Sequence, residues 1–144
     1  MNKTSFLIIN GPNLNMLGTR EPEIYGSLTL TEIQEFTEKS LEKDNVNLEW
    51  YQSNIEGEIV TKIQEATKKN YKALIINPGA YAHTSVAIYD ALTMLACPVI
   101  EVHISNTHRR EDFRQIKLTA KASTIIMEGL GKIAYLTAVK TQLF

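Results

Sequence analysis

Glu101 and His103 stand two residues apart in the apolar run Val99-Ile100-Glu101-Val102-His103, which reads as a β-strand. Alternate residues of a strand share a face, so the carboxylate and the imidazole project together and can pair. A carboxylate in that position orients the ring and favours its protonated form, which suits a histidine that hands over a proton near neutral pH. A Glu-His pair that only serves packing is the alternative. A second set of chemical groups lies between Gly11 and Ser27, a long connection that holds Asn13, Asn15, Arg20 and Tyr25. Long connections in compact domains are usually functional or disordered. Read functionally, this one is a lid: Arg20 carries a fixed positive charge, and Tyr25 a phenol that such a charge makes more acidic. A solvated loop is the alternative. Beyond His103, the run from Ser105 to Arg114 is polar and basic, and its guanidinium and backbone N-H groups suit a bound carboxylate. Otherwise it is a solvated charge run. His83 lies in Ala80-Tyr81-Ala82-His83-Thr84-Ser85, where Thr84 or Ser85 fits the N-cap of a following helix.

These groups need a frame. Apolar runs at Phe6–Asn10, Leu48–Gln52, Ala73–Asn77, Val99–His103 and Thr124–Met127 read as strands. Helical spacing separates them: Leu30, Ile33, Phe36 and Leu41, with Thr29 and Glu32 as a capping box; Ile59, Ile63 and Ala66; Ala87, Ile88, Ala91, Leu92 and Leu95; and Ile133, Leu136 and Val139. The basic run after His103 is expected to lead to a short helix. Continuous apolar strands alternating with helices predict an α/β fold, a flavodoxin-like doubly wound sheet of five parallel strands with helices on both faces. Residues 1–144 form one domain on this reading. Leu7-Ile8-Ile9-Asn10 followed by Gly11-Pro12 is echoed by Leu74-Ile75-Ile76-Asn77 followed by Pro78-Gly79. In a flavodoxin-like order the first and third strands are neighbours, and ligands bind beyond their C-terminal ends. The two Asn-ended loops are therefore expected to face each other across the site, with His103 at the same sheet edge.

Composition narrows the function. A chain of 144 residues with 44% hydrophobic and 22% charged residues is ordinary for a globular protein, and a net charge of -1 gives no electrostatic case for nucleic acid or an anionic membrane. The single Cys97 excludes an intrachain disulfide and fits a reducing, cytoplasmic setting; in its apolar context it reads as a core residue. No apolar run matches a signal peptide or a membrane span, so Asn2-Lys3-Thr4 is read as a chance sequon. Gly129-Leu130-Gly131-Lys132-Ile133-Ala134 fits a dinucleotide pattern but has no acid about 20 residues on, so it reads as a tight turn. His83, His103 and His108 lack a recognised metal-ligand spacing.

The stretch Asn10-Gly11-Pro12-Asn13-Leu14-Asn15-Met16-Leu17-Gly18-Thr19-Arg20-Glu21-Pro22-Glu23-Ile24-Tyr25-Gly26 resembles the opening signature of the type II 3-dehydroquinate dehydratases. Three later segments, Gln52 to Glu58, Ile76 to Ser85 and Pro98 to Asn106, resemble that family's further motifs in the same order. The resemblance implies dehydration of 3-dehydroquinate to 3-dehydroshikimate, in the shikimate route or in quinate breakdown, through an enolate and with no metal or cofactor. By position, Tyr25 resembles the base that takes the proton beside the ketone, and Arg20 with Arg110 the charges that favour its phenolate. Asn13 resembles the residue that holds a water against the enolate, and His103 the acid for the departing hydroxyl, oriented by Glu101. Asn77, His83, Arg114 and the Ile104-Ser105 backbone are similar to the substrate-holding set. The only partners implied are the small-molecule substrate and other copies of the chain. These would form a homododecamer, a tetramer of trimers, in which Asp90 reaches a neighbour's site.

The last part of the chain departs from that pattern. Lys117, Ser123 and Ala134 stand where the family usually has serines and glycines, and Tyr89 stands where an Arg often precedes the residue matching Asp90. A flavin or nucleotide binder of the same fold is one rival reading, and it lacks a phosphate loop. A silent paralogue is the other, and it would be expected to have lost Tyr25, Arg20 or His103.

Overall fold

The computed structural model describes residues 2–19 and 21–144, with Tyr25 described by its backbone. Five strands, β1 (Thr4–Asn10), β2 (Val46–Gln52), β3 (Ala73–Asn77), β4 (Val99–His103) and β5 (Ile125–Glu128), form one parallel sheet in the order β2-β1-β3-β4-β5. This is the flavodoxin-like doubly wound order. The central strands are apolar on both faces because each face has its own core. Phe6, Ile8, Ala73 and Ile75 pack on one side, and Leu7, Ile9, Leu74 and Ile76 on the other. A short helix α1 (Pro22–Tyr25) lies in the connection after β1. The longer helices are α2 (Leu30–Ser40), α3 (Glu56–Ala66), α4 (Val86–Leu92) and α5 (Ala134–Lys140). Residues of α2 and α5 complete the first core; those of α3 and α4 complete the second. Among the described residues no helix is long and apolar enough to cross a membrane.

Local chemistry sets the helix ends. Thr29 and Glu32 form the expected capping box at α2, and Ser85 rather than Thr84 caps α4 by accepting from the Ile88 N-H. Gly129 and Gly131 both have positive φ, 79° and 57°, which makes the Gly129–Ala134 stretch the tight turn its sequence suggests.

Some expectations shift. β5 runs one residue later than Thr124–Met127 and is an edge strand, with Ile126 about half exposed. The short helix expected between β4 and β5 takes the form of 3-10 turns, at Thr107–Arg109, Asp112–Arg114 and Thr119–Ala122, with no α-helix. The polar, basic run has no apolar stripe to hold a helix against the sheet. On α2, Thr37 is buried while Phe36 is only partly so: Thr37 satisfies its hydroxyl on the Ile33 carbonyl at 2.8 Å, and the Lys132 ammonium lies 4.8 Å from the Phe36 ring. On α4, Ala87 is exposed and Ile88, Ala91 and Leu92 are buried. On α5 the buried face is Ala134, Tyr135, Ala138 and Val139, whereas Ile133 is exposed and Leu136 half-buried. A 3-10 turn over Gly131–Ile133 precedes α5, and its tighter winding rotates the phase at which the helix meets the sheet.

Candidate active site

β1 and β3 end side by side, with Asn10 paired to Asn77 in register, so their loops do face each other. The approach is close. The Gly11 N-H donates to the Asn77 carbonyl at 2.8 Å, and a Cβ on Gly11 would lie 2.3 Å from the Pro78 carbonyl oxygen. Opposite it, Gly79 has φ +60° and its own Cβ would meet the Pro12 carbonyl at 3.1 Å. Only glycines let the two loops lie back to back here. The segment after β2 braces them: Gln52 donates to the Gly11 carbonyl at 3.0 Å, and the Asn54 side chain accepts from the Asn13 N-H at 3.0 Å.

Beyond these strand ends lies a cavity of about 90 Å³ lined by Pro12, Asn13, Leu14, Leu17, Asn77, Gly79, Ala80, His83, His103, Ile104, Ser105, Thr107, Arg110 and Arg114. A larger depression of about 950 Å³ lies beside it, bordered by Glu21, Ile24, Leu28, Lys132 and others, and shares Ile104, Ser105 and Arg110 with it. The larger space carries neither histidine nor Asn77, which border the smaller one.

His103 and Glu101 are both buried and lie 2.8 Å apart, Nε2 to Oε2. The other carboxylate oxygen accepts from the Thr119 hydroxyl, so both ends of the group are held. An ionised carboxylate only accepts, which assigns the proton on this contact to Nε2 and leaves Nδ1 for the cavity. The His83 ring lies roughly parallel to that of His103, with centroids 6.5 Å apart. Its Nδ1 donates to the Ile116 carbonyl at 2.8 Å, leaving Nε2 as an acceptor. Burial pushes the His83 pKa below its ordinary value, and the electrostatic effects of His103, Arg114 and Lys117 act in the same direction against the pull of the Ile116 carbonyl. His83 is thus a neutral acceptor beside the His103 ring.

The guanidinium groups enter from the loop after β4. Arg110 Nη1 donates to the Ser105 hydroxyl at 3.4 Å, and the same guanidinium lies 3.7 Å from Glu111 and 3.9 Å from Glu21. Arg114 Nε donates to Glu111 at 2.8 Å. The Ile104 and Ser105 carbonyls accept from Gly131 and Gly129, at 3.1 and 3.2 Å, which pins that corner to the turn before α5. Asn13 holds a left-handed backbone, φ 68°, at the cavity mouth.

Of the residues singled out by sequence, Asn13, Asn77, His83, His103, Ile104, Ser105, Arg110 and Arg114 therefore line one cavity, with Glu101 directly behind His103. Asp90 does not line it; it is exposed on α4. Arg20 and the Tyr25 side chain lie outside the described residues. Sequence reasoning missed Thr119, which completes the hold on Glu101, and Tyr135, whose hydroxyl meets both Asn10 and Asn77. It also missed Glu128, which gathers Thr107, His108 and Lys117. Among the described residues, no group of three or more His, Cys, Asp or Glu side chains is arranged to hold a metal ion.

This geometry coincides with a close sequence relationship. The family model described as dehydroquinase class II matches residues 4–143. The chain belongs to the class II dehydroquinase family. It is 50% identical over 135 residues to a 3-dehydroquinate dehydratase of Fusobacterium nucleatum, covering 92% of each chain. It is 45% identical over 136 residues to one of Clostridium botulinum, covering 94% of this chain and 92% of the relative. The crystal structure of the type II dehydroquinase from Butyrivibrio crossotus superposes with a TM-score of 0.94 at 42% identity, covering 97% of both chains. Membership in the class II dehydroquinases thus extends through the C-terminal part where the motifs depart from the pattern.

Proposed function

We propose that this chain is a hydro-lyase that dehydrates 3-dehydroquinate to 3-dehydroshikimate through an enolate, without a metal or organic cofactor. The observation that carries the reading is the buried Glu101–His103 pair at a cavity lined by Asn13, Asn77, His83, Ser105, Arg110 and Arg114, in a chain of this family. Tyr25, as phenolate, takes the proton beside the ketone; Arg20 and Arg110 favour the charged phenol. The electrons pass to the carbonyl oxygen, and a water held by Asn13 stabilises the enolate by hydrogen bonding. Collapse of the enolate breaks the carbon-oxygen bond to the departing hydroxyl. His103 protonates that hydroxyl from Nδ1, while Glu101 holds Nε2 and the developing imidazole. Net, one water is lost, and the Tyr25 proton returns to His103 to close the cycle.

His83, Asn77, Arg114 and the Ile104–Ser105 corner hold the substrate, with the guanidinium of Arg114 suited to its carboxylate. The assembly we propose is a homododecamer, a tetramer of trimers, in which the exposed Asp90 reaches a neighbouring site; a stable, active monomer by light scattering would refute it.

The test of the reaction is to mix purified protein with 3-dehydroquinate in a strong chelator and follow the absorbance of the conjugated product. Turnover is expected, with a His103→Ala variant slower by roughly 10²-fold or more and binding much less affected. Tyr25→Phe should stop deuterium exchange beside the ketone. Exchange at the wild-type rate, or turnover that returns only on adding a metal, would overturn the scheme.

A further inference from the structure

Asn77 ends β3 almost fully buried, and its amide borders the cavity. An amide side chain presents a donor or an acceptor to a ligand according to which way it is turned, so something must fix it. Its Oδ1 accepts from the Gly79 N-H at 3.2 Å, and its Nδ2 donates to the Tyr135 hydroxyl oxygen at 3.1 Å. Tyr135 has one hydroxyl proton, and that proton goes to Asn10 Oδ1. The phenol oxygen is therefore left as an acceptor toward Asn77. Turned the other way, Asn77 would set its oxygen against an oxygen with no proton to give and its N-H group against the Gly79 N-H. Two contacts would become repulsive.

We infer that Tyr135, which reaches this point from α5 without lining the cavity, is a positioning residue that locks the Asn77 amide so that its second N-H serves as a donor to a substrate oxygen. The lock is built into the core. Tyr135 is fully buried, and Trp50 packs edge-on against its ring with centroids 5.5 Å apart, which fixes where the hydroxyl sits. Burial raises the pKa of the phenol, so it remains protonated and keeps the direction of the relay. The chain Asn10, Tyr135, Asn77 crosses from β1 through α5 to β3 and joins the two echoed strand ends through their side chains as well as their backbones.

The inference rests on the proposed reaction only for its kinetic readout. Tyr135→Phe keeps the ring and removes the hydroxyl. In this variant KM for 3-dehydroquinate is expected to rise about tenfold, the scale of one lost hydrogen bond, with kcat changed much less. Tyr135→Phe added to Asn77→Ala should raise KM no further, because Tyr135 acts through that amide. Additive effects, or an unchanged KM in a folded Tyr135→Phe protein, would overturn the assignment. Side-chain amide NMR of the ligand-free protein supplies a readout that needs no turnover. The two Asn77 Nδ2 protons are distinct in either protein, because rotation about the amide C-N bond is slow; the one that meets Tyr135 should be protected from solvent exchange in wild type, and in Tyr135→Phe they should shift and lose that protection. If they are indistinguishable between the two proteins, the lock does not exist. If wild type shows no dehydration while the NMR difference appears, the lock stands and the proposed reaction falls. Should Tyr135→Phe fail to fold, Asn10→Ala, which removes the acceptor of the Tyr135 proton, should reproduce the Asn77 amide change; no change there would equally overturn the lock.

Discussion

The loop after β1 and the loop after β4 close the same cavity and are held by different physics. In the first, between Gly11 and Leu28, the described residues are marked by close backbone approaches and positive φ. This loop begins at the back-to-back contact of Gly11 with Pro78 and turns through left-handed residues at Asn13, Gly18, Glu21 and Gly26. The second, from Ile104 to Leu118, is drawn together by side-chain charge supplied from β5. The Glu128 carboxylate accepts from the Thr107 hydroxyl, pairs with His108 at 2.8 Å and with Lys117 at 3.2 Å, and is largely buried together with Lys117. Gln115 adds a bond to the Thr107 carbonyl at 2.9 Å. A loop fixed by close backbone approach is vulnerable to added volume, whereas a loop fixed around a carboxylate is vulnerable to loss of one charge. Arg110 and Glu21, 3.9 Å apart, connect the two.

The largest effect expected from this contrast is at Gly11. A methyl group there would stand 2.3 Å from a backbone oxygen, which cannot swing aside as a side-chain end can. Gly11→Ala should cost more than about 4 kcal/mol or prevent folding, a range reserved for gross strain in the core. Denaturant unfolding reads it, and a near-wild-type midpoint would mean that the two strand ends are free to separate. Next comes Glu128→Gln, which keeps the shape and leaves the Lys117 ammonium buried without its partner. A loss of about 3 kcal/mol is expected, the scale of breaking a buried pair from one side. Lys117→Met in the same chain should recover part of it. Hydrogen exchange should quicken at Arg109 and Arg110, whose N-H groups bond to the Asn106 and Thr107 carbonyls, and stay unchanged at Met16 and Leu17 in the first loop. Equal acceleration in both loops would erase the distinction between them.

Much of the site could be read in the sequence because strand parity and strand ends are local. Glu101 and His103 had to share a face once Val99–His103 was a strand, and the echo of Asn10-Gly11-Pro12 in Asn77-Pro78-Gly79 marked the crevice. The partners of those residues were not readable by the same means. Thr119, Tyr135 and Glu128 meet Glu101, Asn77 and Thr107 across 18, 58 and 21 residues, through turns whose path no periodicity reports. Tyr135 was hidden further by the 3-10 turn before α5, which moved the buried face away from Ile133. Lys117 did stand out as a departure from the family pattern, and in the structure it is the counter-ion of Glu128.

The smallest expected effect, and the sharpest test of charge as the organiser of the second loop, is its pH dependence. Burial of Glu128 pushes its pKa up, but the Thr107 hydroxyl, Lys117 and His108 outweigh burial and hold it below the ordinary carboxylate value of 4.5. A carboxylate lowered on folding adds stability that is fully present above its unfolded pKa and disappears as pH falls through the folded one. The wild-type advantage over Glu128→Gln should therefore be constant from neutral pH down to about pH 4.5, then shrink by at most roughly 1.4 kcal/mol per pH unit. Using the difference between the two proteins removes the contributions of Glu32, Glu49 and Glu111, which are also lowered and are common to both. His108 is largely exposed, so His108→Asn should leave most of this slope in place, whereas Lys117→Met should flatten it. Stability curves of wild type and Glu128→Gln that stay parallel down to pH 3 would mean that the Glu128 charge does not organise the loop. Its shape would then have to come from the backbone, as in the first loop.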